Sequence, residues 1–143
     1  MKKMIYMAST KISEGKTIGE ITTLLAKYGA SGIVTQYENG KAIGLAFSIK
    51  YLDSELFFKL PVRYQPVLAA MRKDKHTPKR LCNEDQARRV AWRQILRWIE
   101  AQLALISVGM VDIKGIFMPY LMLSKDETLY ERLEKTKFPM LQK

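Results

Sequence analysis

An Asn39-Gly40 pair between two strand-like runs is the feature that most constrains how this chain can fold. Residues 32–37 and 42–50 flank it and are rich in Ile, Val, Phe and Tyr. An Asn-Gly pair accepts positive φ at both central positions of a type I′ turn, the turn that best matches strand twist. The pattern therefore predicts a β-hairpin, and residues 55–60 predict a third strand.

The second of these strands has two chemically different faces. Large residues alternate with small ones, so one face carries Ile43, Leu45, Phe47 and Ile49, and the other carries Ala42, Gly44, Ala46 and Ser48. The small residues suggest that another element, such as a helix, packs closely against that face.

A helix is predicted before the hairpin. Five apolar residues recur at helical spacing and form one stripe: Ile18, Ile21, Leu24, Leu25 and Tyr28. Thr17 and Glu20 form a possible capping box, with Ser13 as an alternative cap one turn earlier. Gly29 is placed to end the helix. Residues 4–8 form either a short first strand or an apolar segment packed on the core.

The second half of the chain is predicted to be helical. Asn83 is a suitable N-cap, followed by acids in the first turn and Gln86 at the third helical position. Apolar residues cover about half of this helix's circumference: Ala91, Trp92, Ile95, Trp98, Ile99, Leu103 and Leu105. Arg89, Arg93, Glu100 and Ser107 lie on the other side. So wide a stripe indicates a helix that is central or shared with a partner.

Residues 110–123 are apolar but interrupted, and predict a second, kinked or broken helix, while residues 128–135 predict a short last one. The predicted fold class is therefore α+β. An antiparallel three- or four-stranded meander is packed by a helix and followed by a helical C-terminal half with one long amphipathic helix. We divide the chain into an N-terminal part (1–72), a basic loop (73–82) and a C-terminal part (83–143), which together form one compact unit.

Positive charge is concentrated in residues 72–97. The 143 residues carry a formal net charge of +10 and have a pI near 9.7. Nine of the 24 Lys and Arg lie in residues 72–97, against three acids, so this stretch supplies most of the net charge. Such a field favours polyanions, namely nucleic acid, acidic membrane or acidic protein.

Seven cations in this stretch are the candidate phosphate contacts: Lys73, Lys75, Lys79, Arg80, Arg89, Arg93 and Arg97. The last three recur every four residues, so they lie along one helix face about 6 Å apart per step. Arg can hold phosphate oxygens with two hydrogen bonds. The alternative for these three is a solvated face on which Arg97 pairs with Glu100. Arg88 points toward the apolar side, where it needs an acidic partner.

The sequence contains no catalytic signature. Gly15-Lys16-Thr17 ends like a phosphate-binding loop, but Thr10 stands where that motif needs glycine. His76 and Cys82 are the only residues of their kinds, which is too few for a structural zinc site, and we expect no cofactor. Trp92 and Trp98 lie about 120° apart on the helix, so we assign them to the core rather than to base stacking.

The lone Cys82 suits a reducing compartment, and no apolar run approaches the length of a membrane helix. We therefore expect a cytoplasmic protein without a membrane partner.

Several short segments resemble a widespread family of small proteins encoded by phages, prophages and other mobile elements. They are Ser9–Ile12, Lys59–Pro61, Gln86–Arg93, Glu100–Leu103 and Phe117–Tyr120, together spanning most of the chain. The block from Ala91-Trp92-Arg93 to Glu100-Ala101-Gln102 is the most specific. The resemblance implies a context in which DNA handling and interference with host defence are common tasks. It assigns no activity and no functional residue.

Two functions remain open at this point. The first is a non-enzymatic protein that binds nucleic acid, DNA rather than RNA, through phosphate contacts. The second is an oligomeric interaction module that holds a host protein or a small phosphorylated ligand, in which the cations would converge on a pocket. In either case the width of the long helix's apolar stripe predicts a homo-oligomer.

Overall fold

The computed structural model describes residues 4–139 and has the predicted α+β fold. Its helices and strands are α1 (Glu14–Lys27), β1 (Gly32–Glu38), β2 (Lys41–Tyr51), β3 (Ser54–Lys59), α2 (Tyr64–Lys73), α3 (Glu84–Ser107), α4 (Ile113–Phe117), β4 (Met122–Ser124), β5 (Glu127–Thr128) and α5 (Leu129–Lys135). Short 3-10 helices cover Lys79–Leu81 and Met118–Tyr120. Residues 4–10 form turns rather than a strand, so the main sheet has three strands.

The main sheet is the predicted antiparallel meander, with strand order β1-β2-β3. Asn39 and Gly40 have φ values of 51° and 77°, the left-handed values that a type I′ turn requires. The hairpin prediction is confirmed because both central residues tolerate positive φ.

A β-bulge interrupts the predicted alternation of β2. Gln36 pairs with Gly44 while Tyr37 pairs with Ala42, so Ile43 is an extra residue without a cross-strand partner. Leu45 and Phe47 share one face, as predicted, and this face is buried in the core, but Ile43 is exposed and Ala42 takes its place inside. A bulge shifts the alternation by one residue, which a period-two reading of the sequence does not detect.

The small-residue face of β2 does not receive a helix, contrary to prediction. Helices α1 and α3 pack instead on the face of Leu45 and Phe47. On the opposite face Val34 and Phe57 are 60% and 49% exposed. The close approach there is made by neighbouring strands, since a Cβ atom added to Gly44 would lie 3.0 Å from Gln36 Oε1.

Helix α1 begins at the alternative cap. The Ser13 hydroxyl accepts a hydrogen bond from the Lys16 amide at 3.2 Å. Thr17 lies inside the first turn, where its buried hydroxyl donates to the Ser13 carbonyl. The capping box of Thr17 and Glu20 is therefore wrong, and both side chains are used in contacts with α3. Gly29 has φ 104° and follows the end of the helix, as predicted.

Helix α3 is central to the fold. Its cap is confirmed, because Asn83 Oδ1 accepts from the Gln86 amide at 2.9 Å. Trp92, Leu96, Ile99 and Leu103 join the core beneath the sheet and α1. Ala87 and Val90 join a second cluster with Leu68 and Met71 of α2. Packing within the chain accounts for the wide apolar stripe, so the stripe no longer argues for a dimer.

The C-terminal part is less helical than predicted. The expected kinked or broken helix is broken: α4 ends at Phe117, and a 3-10 turn containing Pro119 and strand β4, which pairs with β5, follow it. The last helix is confirmed as α5, which begins with a capping box between Thr128 and Glu131. Phe117 stacks edge-on against Phe47 with ring centroids 5.3 Å apart. The N- and C-terminal parts therefore share one core.

Candidate nucleic-acid interface

Five cations lie between the end of α2 and the following 3-10 helix, and we call residues 72–80 the basic segment. They are Arg72, Lys73, Lys75, Lys79 and Arg80, and all five side chains are exposed. Within residues 4–139 none of them forms an ion pair. Arg72 and Lys73 also suit the negative end of the α2 dipole. Arg72 is an addition to the predicted set, which began one residue later.

Asp74 is the only acid of the basic segment, and its carboxylate is used internally. It accepts hydrogen bonds from the Thr77 hydroxyl at 2.5 Å, the His76 amide at 3.1 Å and the Ile5 amide at 3.3 Å. These bonds, that from Thr77 first, lower the pKa of the carboxyl below its ordinary value. They organise the turn after α2.

The 3-10 helix is tied back to α2. The Cys82 thiol donates to the Met71 carbonyl at 3.4 Å, and Leu81 packs on the cluster containing Leu68 and Met71. Leu81 and Cys82 thus anchor the C-terminal end of the basic segment to α2.

The three predicted arginines of α3 differ in their burial and in their hydrogen-bonding partners. Arg89 is half-buried, and its Nε donates to Gln86 Oε1 at 3.0 Å. Arg97 is exposed and pairs with Glu100 at 2.7 Å, the alternative that its spacing allowed. Each uses one nitrogen of its guanidinium for an internal partner and keeps further N–H donors.

Arg93 is 3% exposed, so it lies on the buried side of α3 and not on the solvated side where the helical wheel placed it. Its Nη1 donates to Glu20 Oε1 at 3.1 Å and to the Thr17 hydroxyl at 3.3 Å. The only sequence feature that could have indicated this burial of Arg93 is the polar pair Thr17 and Glu20 beside the apolar stripe of α1. Arg93 links two helices and is withdrawn from the surface.

Arg88 has the acidic partners that its position predicted. Its side chain is 11% exposed, with Nη2 3.0 Å from Asp85 and 3.8 Å from Glu84. The guanidinium lies over the Tyr64 ring, 4.8 Å from its centroid. Nearby, burial raises the pKa of the Glu14 carboxyl, against the opposing charges of Arg88 and Lys41. This cluster joins α1, α2 and α3.

Two cavities adjoin strand β2 and the β3–α2 connection. A pocket of about 50 Å³ adjoins Arg88 and Trp92. A groove of about 670 Å³ lies between the β1–β2 hairpin, the β3–α2 connection and α5. The charged residues of the groove are mixed in sign: Lys59, Arg63, Glu38, Glu131 and Glu134. None of the seven predicted cations lines either cavity.

The tryptophans belong to the core, as predicted. Trp92 is 1% exposed, and Trp98 packs edge-on against Phe117 and Tyr120 with centroids 5.6 Å from each. Among residues 4–139 no group of three or more His, Cys, Asp or Glu is arranged to hold a metal ion. No helix in the described part of the chain is long and apolar enough to cross a bilayer.

Comparison with protein-family models, curated proteins and solved structures finds no match to this chain. The resemblance to mobile-element proteins therefore stays a prediction from the sequence.

Proposed function

We propose that this chain is a non-enzymatic protein that binds nucleic acid through phosphate contacts made by the basic segment. One observation carries the proposal: five exposed cations fall within nine residues, and the carboxylate of the single acid among them is occupied by hydrogen bonds from Thr77, His76 and Ile5. Cations held close together on an ordered backbone match a polyanion better than cations scattered over a surface. Arg89 and Arg97 have N–H donors beyond those used by their internal partners and can add contacts, whereas Arg93 is excluded by its burial.

The proposed binding is electrostatic and reads little sequence. Each phosphate neutralised on a duplex contributes about −0.9 to the slope of log affinity against log salt. If all five cations make contacts, the slope approaches roughly −4.5. We place this activity in the cytoplasm and, from the sequence resemblance, in the biology of mobile elements, with DNA as the expected ligand.

The alternative, a module that sequesters a small phosphorylated ligand, requires cations that converge on a pocket. The predicted cations line neither of the two cavities described above, and the larger groove has three acids beside its two cations. Geometry therefore supports the nucleic-acid proposal.

We also propose that the chain self-associates through β1. Among the described residues this strand pairs with β2 alone, and it contains neither Lys nor Pro, which commonly protect sheet edges. Val34 and Tyr37 on it are exposed. At the other edge, β3 is partly covered through a bridge between Phe58 and Leu121.

The binding proposal is tested by fluorescence anisotropy with labelled single-stranded and duplex DNA and RNA at several salt concentrations. A variant with charge reversals at Lys73, Lys75, Lys79 and Arg80 should lose most binding and have a much shallower salt slope. The matched control reverses four exposed lysines elsewhere: Lys16, Lys27, Lys50 and Lys125. It has the same net charge and should keep most of the affinity.

Equal losses in the two variants would show that net charge alone attracts the ligand, and would contradict a localised site. An affinity insensitive to salt would exclude the phosphate mechanism.

A further inference from the structure

Residues 4–10 are held across α3 by hydrogen bonds to their backbone. Gln94 Nε2 donates to the Tyr6 carbonyl at 2.8 Å. Two turns earlier on α3, Gln86 Nε2 donates to the carbonyls of Ala8 and Thr10 at 2.8 and 2.9 Å. The Ile5 amide donates to Asp74 of the basic segment. The position of this segment therefore depends on backbone atoms and on two glutamine side chains.

Tyr6 projects outward from this anchored segment. Ile5 and Met7 on either side pack on the cluster between α2 and α3, and Ala8 is buried. Tyr6 itself is 60% exposed. Met7 has φ 67°, a left-handed conformation that non-glycine residues rarely adopt. Because these contacts hold the backbone on both sides of Tyr6, its exposed ring is positioned on the surface without a ligand.

Cations lie on both sides of Tyr6. The bond from Ile5 to Asp74 brings the segment next to Lys73 and Lys75. On the other side, Arg97 follows Gln94 by one helical turn. The pKa of the Arg97 guanidinium is raised mainly by its hydrogen bond to Glu100, and Tyr6 and Glu20 contribute smaller effects. Tyr6 thus lies between the basic segment and the last arginine of the row.

We propose that Tyr6 stacks on an unpaired base and that the ligand of the basic segment is a single-stranded nucleic acid. This inference rests on the proposed function and adds the class of strand. The faces of bases in a duplex are covered by their neighbours, so an exposed ring beside phosphate-binding cations gains most from a strand whose bases are free. Trp92 is buried in the core, and Trp98 is partly buried against Phe117 and Tyr120, so Tyr6 is the better candidate for this role.

The test compares Tyr6→Ala, Tyr6→Phe and Tyr51→Ala in the full chain, with labelled 20-nucleotide oligothymidylate and a 20-base-pair duplex as probes. Loss of one stacked base should weaken oligothymidylate binding by about 5- to 150-fold in Tyr6→Ala. The salt slope and the duplex affinity should stay unchanged. Tyr6→Phe keeps an aromatic face and should retain the affinity. Tyr51 is also exposed, at 45%, and lies at the end of β2, outside both β1 and the basic segment, so its replacement should have no effect.

Thermal unfolding of each variant checks the fold, which should survive because the hydrogen bonds of Tyr6 use its backbone. Unchanged oligothymidylate binding in Tyr6→Ala would overturn the stacking role, while charge reversal in the basic segment would still test the proposed function separately. An equal loss of affinity for both probes in Tyr6→Ala would also overturn the stacking role. A wild-type chain that binds neither probe would overturn the proposed function and this inference with it.

Discussion

Arg93 projects from α3 toward α1, where it meets Glu20 and Thr17. Replacing it with Met would remove a buried cation and leave Glu20, whose side chain is 39% exposed, without its partner. Breaking a fully buried pair costs about 3–5 kcal/mol, and the exposure of Glu20 reduces this. We expect a loss of about 2–3 kcal/mol in the free energy of unfolding, measured by urea denaturation.

The same variant separates a structural role for Arg93 from phosphate binding. Under conditions where it is folded, Arg93→Met should bind nucleic acid with nearly wild-type affinity and salt slope. Glu20→Gln is the matched control: it should also destabilise the fold, because the buried guanidinium loses its counter-charge, and it should leave nucleic-acid binding unchanged. A large loss of affinity in folded Arg93→Met would show that Arg93 contributes to nucleic-acid binding after all.

Asp74 should make stability depend on pH. Its pKa in the folded chain is lowered from an ordinary value of 3.8 by hydrogen bonds, that from Thr77 first. The stabilising contribution of a depressed carboxyl is present above the unfolded pKa and is lost as pH falls through the folded pKa. Asp74→Asn should therefore melt below wild type at pH 7, and the difference should shrink below pH 3.8.

Thermal denaturation across this pH range measures the effect, with Asp126→Asn in the exposed β4–β5 turn as the control. A difference between wild type and Asp74→Asn that is constant with pH would mean that the carboxylate charge is not what stabilises the turn.

At the scale of elements, the proposed self-association depends on the edge of β1 that is unpaired among the described residues. Val34→Lys places a charge on β1, and in an antiparallel pair of β1 strands two such charges would repel each other. We expect this variant to be monomeric where the wild type is oligomeric, as measured by size-exclusion chromatography with light scattering. Phe57→Lys, on the same face but on β3, should leave the assembly intact.

A wild-type chain that is monomeric at high concentration would contradict the β1 proposal. Dissociation by Phe57→Lys as well as by Val34→Lys would indicate contact through the sheet face rather than through the edge.

At the scale of the whole molecule, the two parts divided by the basic segment depend on one core. Phe117 of α4 contacts Phe47 of β2, and Leu121 forms a bridge to Phe58 of β3. Helix α3 fills the space between them. The basic segment is consequently a surface connection across a single packed unit, and its five cations are placed by the ends of α2 and α3.

Sequence alone determined those features that depend on neighbours a few residues apart. The I′ turn at Asn39-Gly40 follows from residues that tolerate positive φ, and the start of α3 follows from the Asn83 side chain and its own first turn. The acidic partners of Arg88 were also foreseeable, since they lie three and four residues away.

Tertiary structure decided what depends on distant partners. Burial of Arg93 needed Thr17 and Glu20, more than seventy residues away, and no helical wheel of α3 contains them. The bulge at Ile43 arose from the register between two strands, and β4 formed where the chain meets Phe58. The exposure of Tyr6 likewise depended on glutamines of α3. Short-range propensities depend on adjacent residues. Burial and strand pairing depend on contacts between residues distant in the sequence, which form only when the whole chain folds around one core.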